Sequence, residues 1–412
     1  MMTPVFRTLR QSLSLLFTRR FGTFWFASLL SNIGTWAQQV AEPWLLVSIG
    51  ASSFMIGLDS FAMNAPVILL TLVGGALADH ADRRKVIALF QSIQMLCPLA
   101  IIGLLATGSI NVWLIVAISV VVGITDGLSM PSFQSITPTI VPRDQIHRGL
   151  ALNATQFNLS RILGPSIAGL LISGIGIMAC FAVSALSYIP FIGVALWVLP
   201  KKTAVVDDLS PARDRPFAGM GDIVRDHKVL GALLTVFTTS LLCAPLVTFV
   251  PVLIKDAMHG DASHFSTAVA SFGAGGLLGA AFLLGVPATV DRRILSSAFA
   301  VSHGVTLVLI AVDPSLSALA LLLSFAGASM AVSNTSTNTH LQSTASPRLL
   351  GKVVSLYMFA MRSGMSLGAL MTGVAVSLLG VQKALLLNGL LAIGLQLCIA
   401  RMWMRSRTSA GG

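Results

Sequence analysis

The feature that most constrains this chain is a series of long apolar segments that fills nearly all of its 412 residues. A helix needs about 20 apolar residues to cross the hydrocarbon core of a bilayer. Only 10% of the residues are charged, against about 25% in soluble domains. This excludes an ordinary soluble enzyme and predicts an all-α membrane protein with twelve transmembrane helices. The segments lie at 21–49, 54–77, 86–107, 112–134, 150–174, 177–199, 229–253, 265–287, 294–312, 315–338, 353–378 and 382–403.

The basic residues are concentrated in every second loop between these segments. If the N-terminus lies in the cytoplasm, 22 of the 26 Lys and Arg residues fall in cytoplasmic segments, and only Lys255 and Lys383 fall in outer loops. Cytoplasmic loops of membrane proteins carry this excess, so we predict a multi-pass protein with both termini in the cytoplasm. The net charge of +11 is then a topology signal. No nucleic-acid partner is expected, because the basic residues form no face with interleaved aromatics.

The longest polar stretch divides the chain into two similar halves. We predict an N-terminal six-helix bundle at 1–199, a cytoplasmic linker at 200–228 and a C-terminal six-helix bundle at 229–412. Two similar halves of six helices are typical of one transporter architecture, in which the substrate site lies near the midplane between them. The glycine spacing of the fifth segment recurs 204 residues later in the eleventh, as Gly164, Gly169 and Gly176 and then as Gly368, Gly373 and Gly380.

The loop after the second segment carries a polar motif. It reads Gly75-Ala-Leu-Ala-Asp79-His-Ala-Asp82-Arg83-Arg84-Lys85. This pattern resembles the signature loop of the major facilitator superfamily, with His where an Arg is usual and Asp where a second Gly is usual. The resemblance implies the fold of that superfamily, which consists of two pseudo-symmetric six-helix bundles.

The same resemblance implies a cytoplasmic gate that includes Gly75. In it, Asp79 accepts hydrogen bonds from the N-terminus of the eleventh helix, and Arg83 bridges to Asp126 in the fourth segment. A helix N-terminus carries unpaired N–H groups and a positive dipole end, which suit a carboxylate. The alternative for Arg83 is a positive charge that only marks the cytoplasmic end of the segment.

Two further motifs narrow the resemblance to one branch. The fifth segment contains Asn158-Leu-Ser-Arg161-Ile-Leu-Gly164-Pro165, whose Gly-Pro pair is similar to that of drug antiporters. This motif resembles the branch of enterobactin exporters and secretion effectors. The later sequence Gly351-Lys352-Val353 and Ser355-Leu356-Tyr357 resembles the same branch. This resemblance implies a monomeric exporter of a small-molecule substrate in the bacterial inner membrane, with the lipid bilayer as its surroundings and protons as the coupling ion.

Few ionisable groups lie at bilayer depth, and such groups are functional candidates because their insertion is costly. Glu42, the only glutamate in the chain, directly precedes Pro43 in the first segment. We predict that it is the proton-coupling acid, since substrate and proton can compete for one cavity carboxylate; the alternative is a structural hydrogen bond to a neighbouring helix. Asp59 is the second candidate for the proton, with a hydrated vestibule position as its alternative.

Two arginines, Arg161 and Arg362, lie near the middle of the fifth and eleventh segments. Arginine binds carboxylates and phosphates with two parallel hydrogen bonds, so the pair favours a substrate with an anionic group, such as a carboxylate or catecholate siderophore. The alternative for Arg161 is an internal salt bridge with Asp126 or Glu42. The other predicted cavity residues are Asn32, Trp36, Gln39, Asn158 and Asn334.

The sequence therefore predicts a secondary active transporter, with proton-coupled export of a siderophore or drug as the first hypothesis. An importer or a lysophospholipid translocator of the same fold is the second, and a non-transporting membrane scaffold is the third. ATP-driven transport by this chain alone is not expected, because the sequence contains no P-loop. No enzyme activity is expected, because it contains no HExxH motif or nucleophile elbow. The four cysteines have no metal-ligand spacing, so neither a metal nor a cofactor is expected.

Overall fold

The computed structural model describes residues 14–142, 145–200, 227–287, 289–312, 315–345 and 350–405. Over these ranges the regular elements are all helices, and the long ones form twelve segments. The first six are α1 (Arg19–Ser48), α2 (Ser53–His80), α3 (Arg83–Ala106), α4 (Val112–Ile140), α5 (Ile146–Gly174) and α6 (Ile177–Trp197). Then follow α7 (His227–Leu242, continued by Pro245–Val252 and a π turn at Leu253–Ala257), α8 (Ala262–Gly285), α9 (Arg292–Val312), α10 (Leu316–Thr344), α11 (Leu350–Leu379) and α12 (Val381–Arg405).

Ten of these segments are long and apolar enough to cross a membrane, within the described part of the chain. The two that fall short in hydropathy, α1 and α5, have 30 and 29 residues, which is ample length for a span. They fall short because they carry most of the polar residues predicted to line a cavity. The all-helical membrane architecture predicted from the sequence is confirmed.

The chain forms two compact units whose boundaries differ from the predicted ones in one place. One unit comprises Met1–Glu42 and Pro66–Val205, and the other comprises Pro43–Ala65 and Val206–Gly412. The segment 43–65, which we call the α1–α2 hairpin, therefore packs with the C-terminal helices rather than with the rest of α1 and α2. Both passages of the chain into and out of this hairpin occur inside helices, at Pro43 and Pro66. The predicted linker is almost entirely outside the described residues.

The first unit is held together by close helix approaches and an aromatic cluster. A Cβ on Gly164 of α5 would collide with the Cβ of Trp36 on α1, so only glycine permits this approach. Near one end of the unit, Phe24, Phe133 and Phe191 pack with ring centroids 5.2–5.8 Å apart. These contacts fix α1 against α4, α5 and α6, the helices that surround Glu42 and Arg161.

The second unit binds the α1–α2 hairpin through small residues. A Cβ on Gly57 would lie 2.5 Å from the Ala369 carbonyl oxygen, and one on Gly373 would lie 2.9 Å from the Ser53 carbonyl oxygen. These values are well inside van der Waals contact, so α2 and α11 touch backbone to backbone. The approach places the polar side chains of the hairpin directly against α11.

Candidate functional site

Glu42 lies inside the first unit, with 1% of its surface exposed. The Ser119 hydroxyl on α4 donates a hydrogen bond to its Oε1 at 2.7 Å, and the Gln38 amide donates to its Oε2 at 3.4 Å. Ser184 on α6 in turn donates to Gln38 Oε1 at 2.8 Å. Gln38 and Glu42 are four residues apart and so share one face of α1. The carboxylate is therefore joined to α4 directly and to α6 through Gln38.

This geometry suits two protonation states of Glu42. The ionised carboxylate accepts from both donors, as observed. A hydroxyl both donates and accepts and can rotate, so Ser119 can accept the proton of a neutral Glu42 without a change in helix positions. The alternative made from the sequence, a hydrogen bond to a neighbouring helix, describes the observed contact. That contact is also compatible with a coupling role.

A half-buried polar stripe runs along α1 beside this network. Asn32, Trp36 and Gln39 are spaced four and three residues apart and are partly exposed within the structure, whereas Gln38 is buried. At 100° per residue, the Glu42 side chain points about 60° away from Gln39 around the helix. Glu42 therefore lies at the edge of the stripe, one turn from its last member.

Arg161 of α5 packs on this stripe. Its guanidinium carbon is 5.4 Å from the centroid of the Trp36 ring, and only 8% of the residue is exposed. Trp36 also meets Phe157 edge to face, with centroids 6.1 Å apart. An arginine over an indole face is a favourable cation–π arrangement. Asn158, one turn before Arg161, donates to the Ala154 carbonyl of its own helix at 2.9 Å.

The predicted gate residues lie around the α2–α3 turn and α4. The Arg83 guanidinium donates to the Ala78 carbonyl at 3.0 Å and to the Ser135 carbonyl at 3.3 Å. Asp126 is nine residues before Ser135 on α4, which is roughly 13 Å along a helix. The predicted ion pair between Arg83 and Asp126 is therefore not formed in this conformation. The side chain of Asp79 lies outside the described residues.

The residue that departs from the signature loop, Asp82, has a clear local function. Its carboxylate accepts a hydrogen bond from the Arg84 main-chain N–H at 3.1 Å and so caps α3. The Arg84 guanidinium pairs with the same carboxylate at 2.9 Å. These hydrogen bonds lower the pKa of Asp82 below its ordinary value. Gly75, in contrast, has open space around its missing side chain, since a Cβ there would meet nothing within 4 Å.

In the second unit, Arg362 contacts the α1–α2 hairpin. Its Nη1 donates to Asn64 Oδ1 at 2.9 Å, and 9% of the residue is exposed. One turn along α11, the Ser366 hydroxyl donates to the Phe61 carbonyl at 3.4 Å. Asp59 is only 2% exposed in this conformation. The reason is the close packing of this part of α2 on α11.

Two further contacts hold the turn of the hairpin. The Lys255 ammonium donates to the Val47 carbonyl at 2.8 Å, and Trp44 stacks on Phe265 with centroids 4.7 Å apart and planes 11° from parallel. Val47 is in the last turn of α1, where the negative end of the helix dipole attracts a positive charge, and its carbonyl also accepts from the Gly50 main-chain N–H at 3.1 Å. Asn334, the remaining cavity candidate, is buried on α10 and receives a hydrogen bond from Tyr357 at its carbonyl at 3.5 Å.

The sequence pointed to the candidate site residues but not to the residues that are hydrogen-bonded to them. Ser119 and Ser184 are serines with apolar neighbours in apolar segments and give no signal of their own. The spacing of Gln38 and Glu42 does predict a polar face on α1, and hence a polar partner, but it does not say which helix supplies it.

Comparison with known proteins agrees with this architecture. A family model for transmembrane secretion effectors matches residues 11–410. Macrolide efflux protein A of Streptococcus pyogenes is 25% identical over 386 residues, which cover 92% of this chain and 94% of that protein. The staphyloferrin A transporter of Staphylococcus aureus is 26% identical over 264 residues, which cover 62% of this chain and 64% of that protein.

Among solved structures, a crystal structure of the nucleoside transporter NupG superposes with a TM-score of 0.72 and 12% identity, covering 93% of this chain and 99% of that one. At this identity the likeness concerns the fold alone, and it confirms the predicted architecture. The family match covers nearly the whole chain. The chain is therefore a multi-pass membrane transporter that belongs to the transmembrane secretion effector family of the major facilitator superfamily.

Proposed function

We propose that this protein exports a small amphipathic molecule with an anionic group from the cytoplasm, in exchange for protons, by alternating access. The observation that carries the proposal is the Glu42 carboxylate, buried at bilayer depth beside a rotatable hydroxyl donor. The curated relatives are named as efflux proteins and as a siderophore transporter. The protein works as a monomer in the bacterial inner membrane, with both termini in the cytoplasm.

Glu42 is the residue that binds the exchanged proton. When it is protonated, Ser119 turns from donor to acceptor; when it is ionised, the carboxylate has lost its proton to the cytoplasmic side. Insertion of an unpaired charged side chain at bilayer depth costs at least about 2.5 kcal/mol. The two donors reduce this cost for the ionised form, so both states are accessible. Asp59, buried in the second unit, is the second proton-binding candidate.

Each unit has its own candidate substrate contacts. In the first, Asn32, Trp36 and Gln39 provide the half-buried stripe, with Asn158 and Arg161 beside it on α5. In the second, Asn334 and Arg362 provide polar groups on α10 and α11. An indole face and a guanidinium suit a molecule with an apolar body and a carboxylate or catecholate group.

The cytoplasmic gate is formed by the signature loop and its partners. Arg83 holds the inner end of α4 in this conformation. In the opposite conformation it pairs with Asp126. Gly75, Gly164 and Pro165 provide the small or rigid positions around which the helices shift.

The test is transport in inverted membrane vesicles, with a panel of macrolides and of carboxylate and catecholate siderophores. We expect accumulation of one class when the vesicle interior is acidic, and its loss with a protonophore. Glu42→Gln should bind the substrate but lose gradient-driven accumulation, whereas the matched amide variant Asp59→Asn should keep most of it.

Other outcomes would contradict the proposal. Full gradient-driven transport by Glu42→Gln removes Glu42 from the coupling step. Accumulation in right-side-out vesicles would identify an importer, flip of a labelled lysophospholipid would identify a lipid translocator, and no transport of any compound would favour a scaffold.

A further inference from the structure

The two carboxyl oxygens of Glu42 face different kinds of hydrogen-bonding group. Oε1 lies 2.7 Å from the Ser119 hydroxyl, and Oε2 lies 3.4 Å from the side-chain nitrogen of Gln38. A hydroxyl can donate or accept a hydrogen bond, whereas the nitrogen of an amide can only donate. The two oxygens therefore differ in what must move when a proton arrives.

The orientation of the Gln38 amide follows from the groups at its two ends. A carboxylate only accepts hydrogen bonds, so the nitrogen end of the amide must face ionised Glu42. At the other end, Gln38 Oε1 accepts from the Ser184 hydroxyl on α6 at 2.8 Å. All three side chains are buried, so bulk water does not replace either bond. The amide is held between a carboxylate and a hydroxyl donor.

Close packing of α6 on α1 keeps that hydroxyl within reach of the amide. A Cβ on Gly34 of α1 would lie 3.0 Å from the Cα of Ser184, so only glycine permits this approach. One turn along α6, the Tyr188 hydroxyl is 2.9 Å from Thr35 Oγ1. Thr35 gives its own proton to the Ser31 carbonyl, so Tyr188 is the donor in this bond. Packing and a second hydrogen bond therefore hold Ser184 beside α1.

A proton on Oε1 of Glu42 requires one hydroxyl to rotate. The new O–H donates to Ser119, and the Ser119 proton turns to a carbonyl three or four residues earlier on α4, as serine and threonine hydroxyls in helices commonly do. Thr125 on the same helix makes such a bond to the Val121 carbonyl at 2.9 Å. Oε2 remains an acceptor, so Gln38 keeps both of its bonds.

A proton on Oε2 requires more of the network to reorganise. The new O–H would meet the amide nitrogen, donor against donor, so the Gln38 amide would have to turn over. Its nitrogen end would then face Ser184, whose hydroxyl would have to accept this bond and donate elsewhere. The Tyr188 oxygen is within hydrogen-bond reach of Ser184 and would gain that bond. Two buried groups would move instead of one.

We propose that the exchanged proton binds Oε1 of Glu42, and that Gln38 and Ser184 are positioning residues that keep it off Oε2. Ser184 holds the amide nitrogen towards the carboxyl group in both protonation states, and Ser119 alone responds to the proton. The proton then enters and leaves on the α4 side of Glu42. This inference rests on the proposed role of Glu42 as the proton-binding acid.

Other groups of the first unit that can carry a charge face this network from four helices: Cys97 on α3, Asp126 on α4, Arg161 on α5 and Tyr188 on α6. Cys97 and Tyr188 are neutral as a thiol and a phenol. Asp126 lies seven residues along α4 from the bonded serine, which is roughly 10 Å, and Arg161 packs on Trp36, roughly 9 Å before Glu42 along α1. A charge at such a distance acts almost equally on the two oxygens of one carboxyl group, so it does not select between them.

The first test reads the carboxyl group directly, because Glu42 is the only glutamate in the chain. Protein with isotope-labelled glutamate is placed in nanodiscs, and infrared difference spectra are recorded across a pH titration. Neutral Glu42 should give a single narrow C=O band, since Oε2 always accepts from Gln38. Ser184→Ala frees the amide to turn over, so we expect a second, shifted band from molecules whose proton has moved to Oε2.

The matched control is Ser187→Ala on the same helix, where the lost hydroxyl donates to the Ser184 carbonyl and not to Gln38. Its Glu42 band should equal that of the wild type. An unchanged single band in Ser184→Ala would overturn the inference and leave the proposed function intact. A Glu42 band that never responds to pH, or full gradient-driven transport by Glu42→Gln, would refute the proposed function and the inference with it.

The second test needs no change beside Glu42, so it decides the matter even if Ser184→Ala does not fold. The chain has two tyrosines, and Tyr357→Phe leaves Tyr188 as the only one to carry an isotope label. We expect its C–O band to stay constant while the Glu42 band titrates, because Ser184 keeps its bond to the amide. Thr35→Val removes the acceptor of the Tyr188 hydroxyl and is the positive control for a shift. A Tyr188 band that shifts in step with Glu42 would mean that the amide turns over, against the proposal.

Discussion

We predict that the hydrogen bond between Arg362 and Asn64 measurably stabilises the packing of the α1–α2 hairpin on α11. Asn64→Ala removes the Oδ1 acceptor that lies 2.9 Å from Arg362 Nη1. Both residues are buried, so water does not easily replace the lost acceptor. Hydrogen bonds to a charged group contribute about 1.5–3 kcal/mol. Since about 1.4 kcal/mol is a factor of ten, the balance between docked and undocked hairpin should move roughly 10- to 150-fold towards undocked.

A cysteine placed under the hairpin reports this balance. Ser366 is 1% exposed and donates to the Phe61 carbonyl of the hairpin, so Ser366→Cys should react slowly with a membrane-impermeant maleimide. The background variant Cys398→Ser removes the one exposed cysteine among those described. Asn64→Ala should then raise the labelling rate by the factor given above.

The matched control is Asn64→Asp, which keeps an acceptor at the same distance and adds a negative charge facing the guanidinium. It should label as slowly as the parent or more slowly. If Asn64→Ala changes neither the labelling rate nor Tm, the Arg362–Asn64 bond does not hold the hairpin, and the reasoning from burial and distance is wrong.

Two further predictions concern packing and pH. Gly164→Ala places a Cβ against the Trp36 side chain and backbone. Overpacking of this kind costs about 1–3 kcal/mol, so we expect Tm to fall. The control Gly75→Ala, at a position with open space around it, should not lower Tm. Asp261 is exposed and caps α8; hydrogen bonds from Ser263 and His264 lower its pKa to about 2 from an ordinary 3.8. The ionised cap therefore contributes stability above pH 3.8 that is lost as the pH falls through 2, and the Tm difference between wild type and Asp261→Ala should shrink over that range; a constant difference would contradict it.

The helices were predictable because the bilayer imposes their length and composition. Twelve apolar segments and the alternation of basic loops are one-dimensional signals, and the structure has a helix at each predicted segment. Polar residues such as Glu42 and Arg362 could also be predicted as candidates, because an ionisable residue in an apolar segment stands out in the sequence however the helices pack.

The partners of those residues were not predictable, since they depend on which helix faces which. Arg83 binds two main-chain carbonyls, and carbonyls are present at every position of every sequence. The association of 43–65 with the second unit had no sequence signal either. It arises from the close approach of Gly57 and Gly373, whose spacing along the chain resembles that of many other glycine pairs.

The prolines at the two ends of the α1–α2 hairpin have a mechanical consequence. Proline has no N–H, so neither Pro43 nor Pro66 can bond to the carbonyl four residues earlier, at Gln39 and Ala62. A helix can flex at such a position without rupturing a main-chain bond. The boundary between the two units falls at both prolines, so we predict that α1 and α2 can bend at these positions. We expect replacement of either proline with alanine to stiffen the helix at that position and to slow transport.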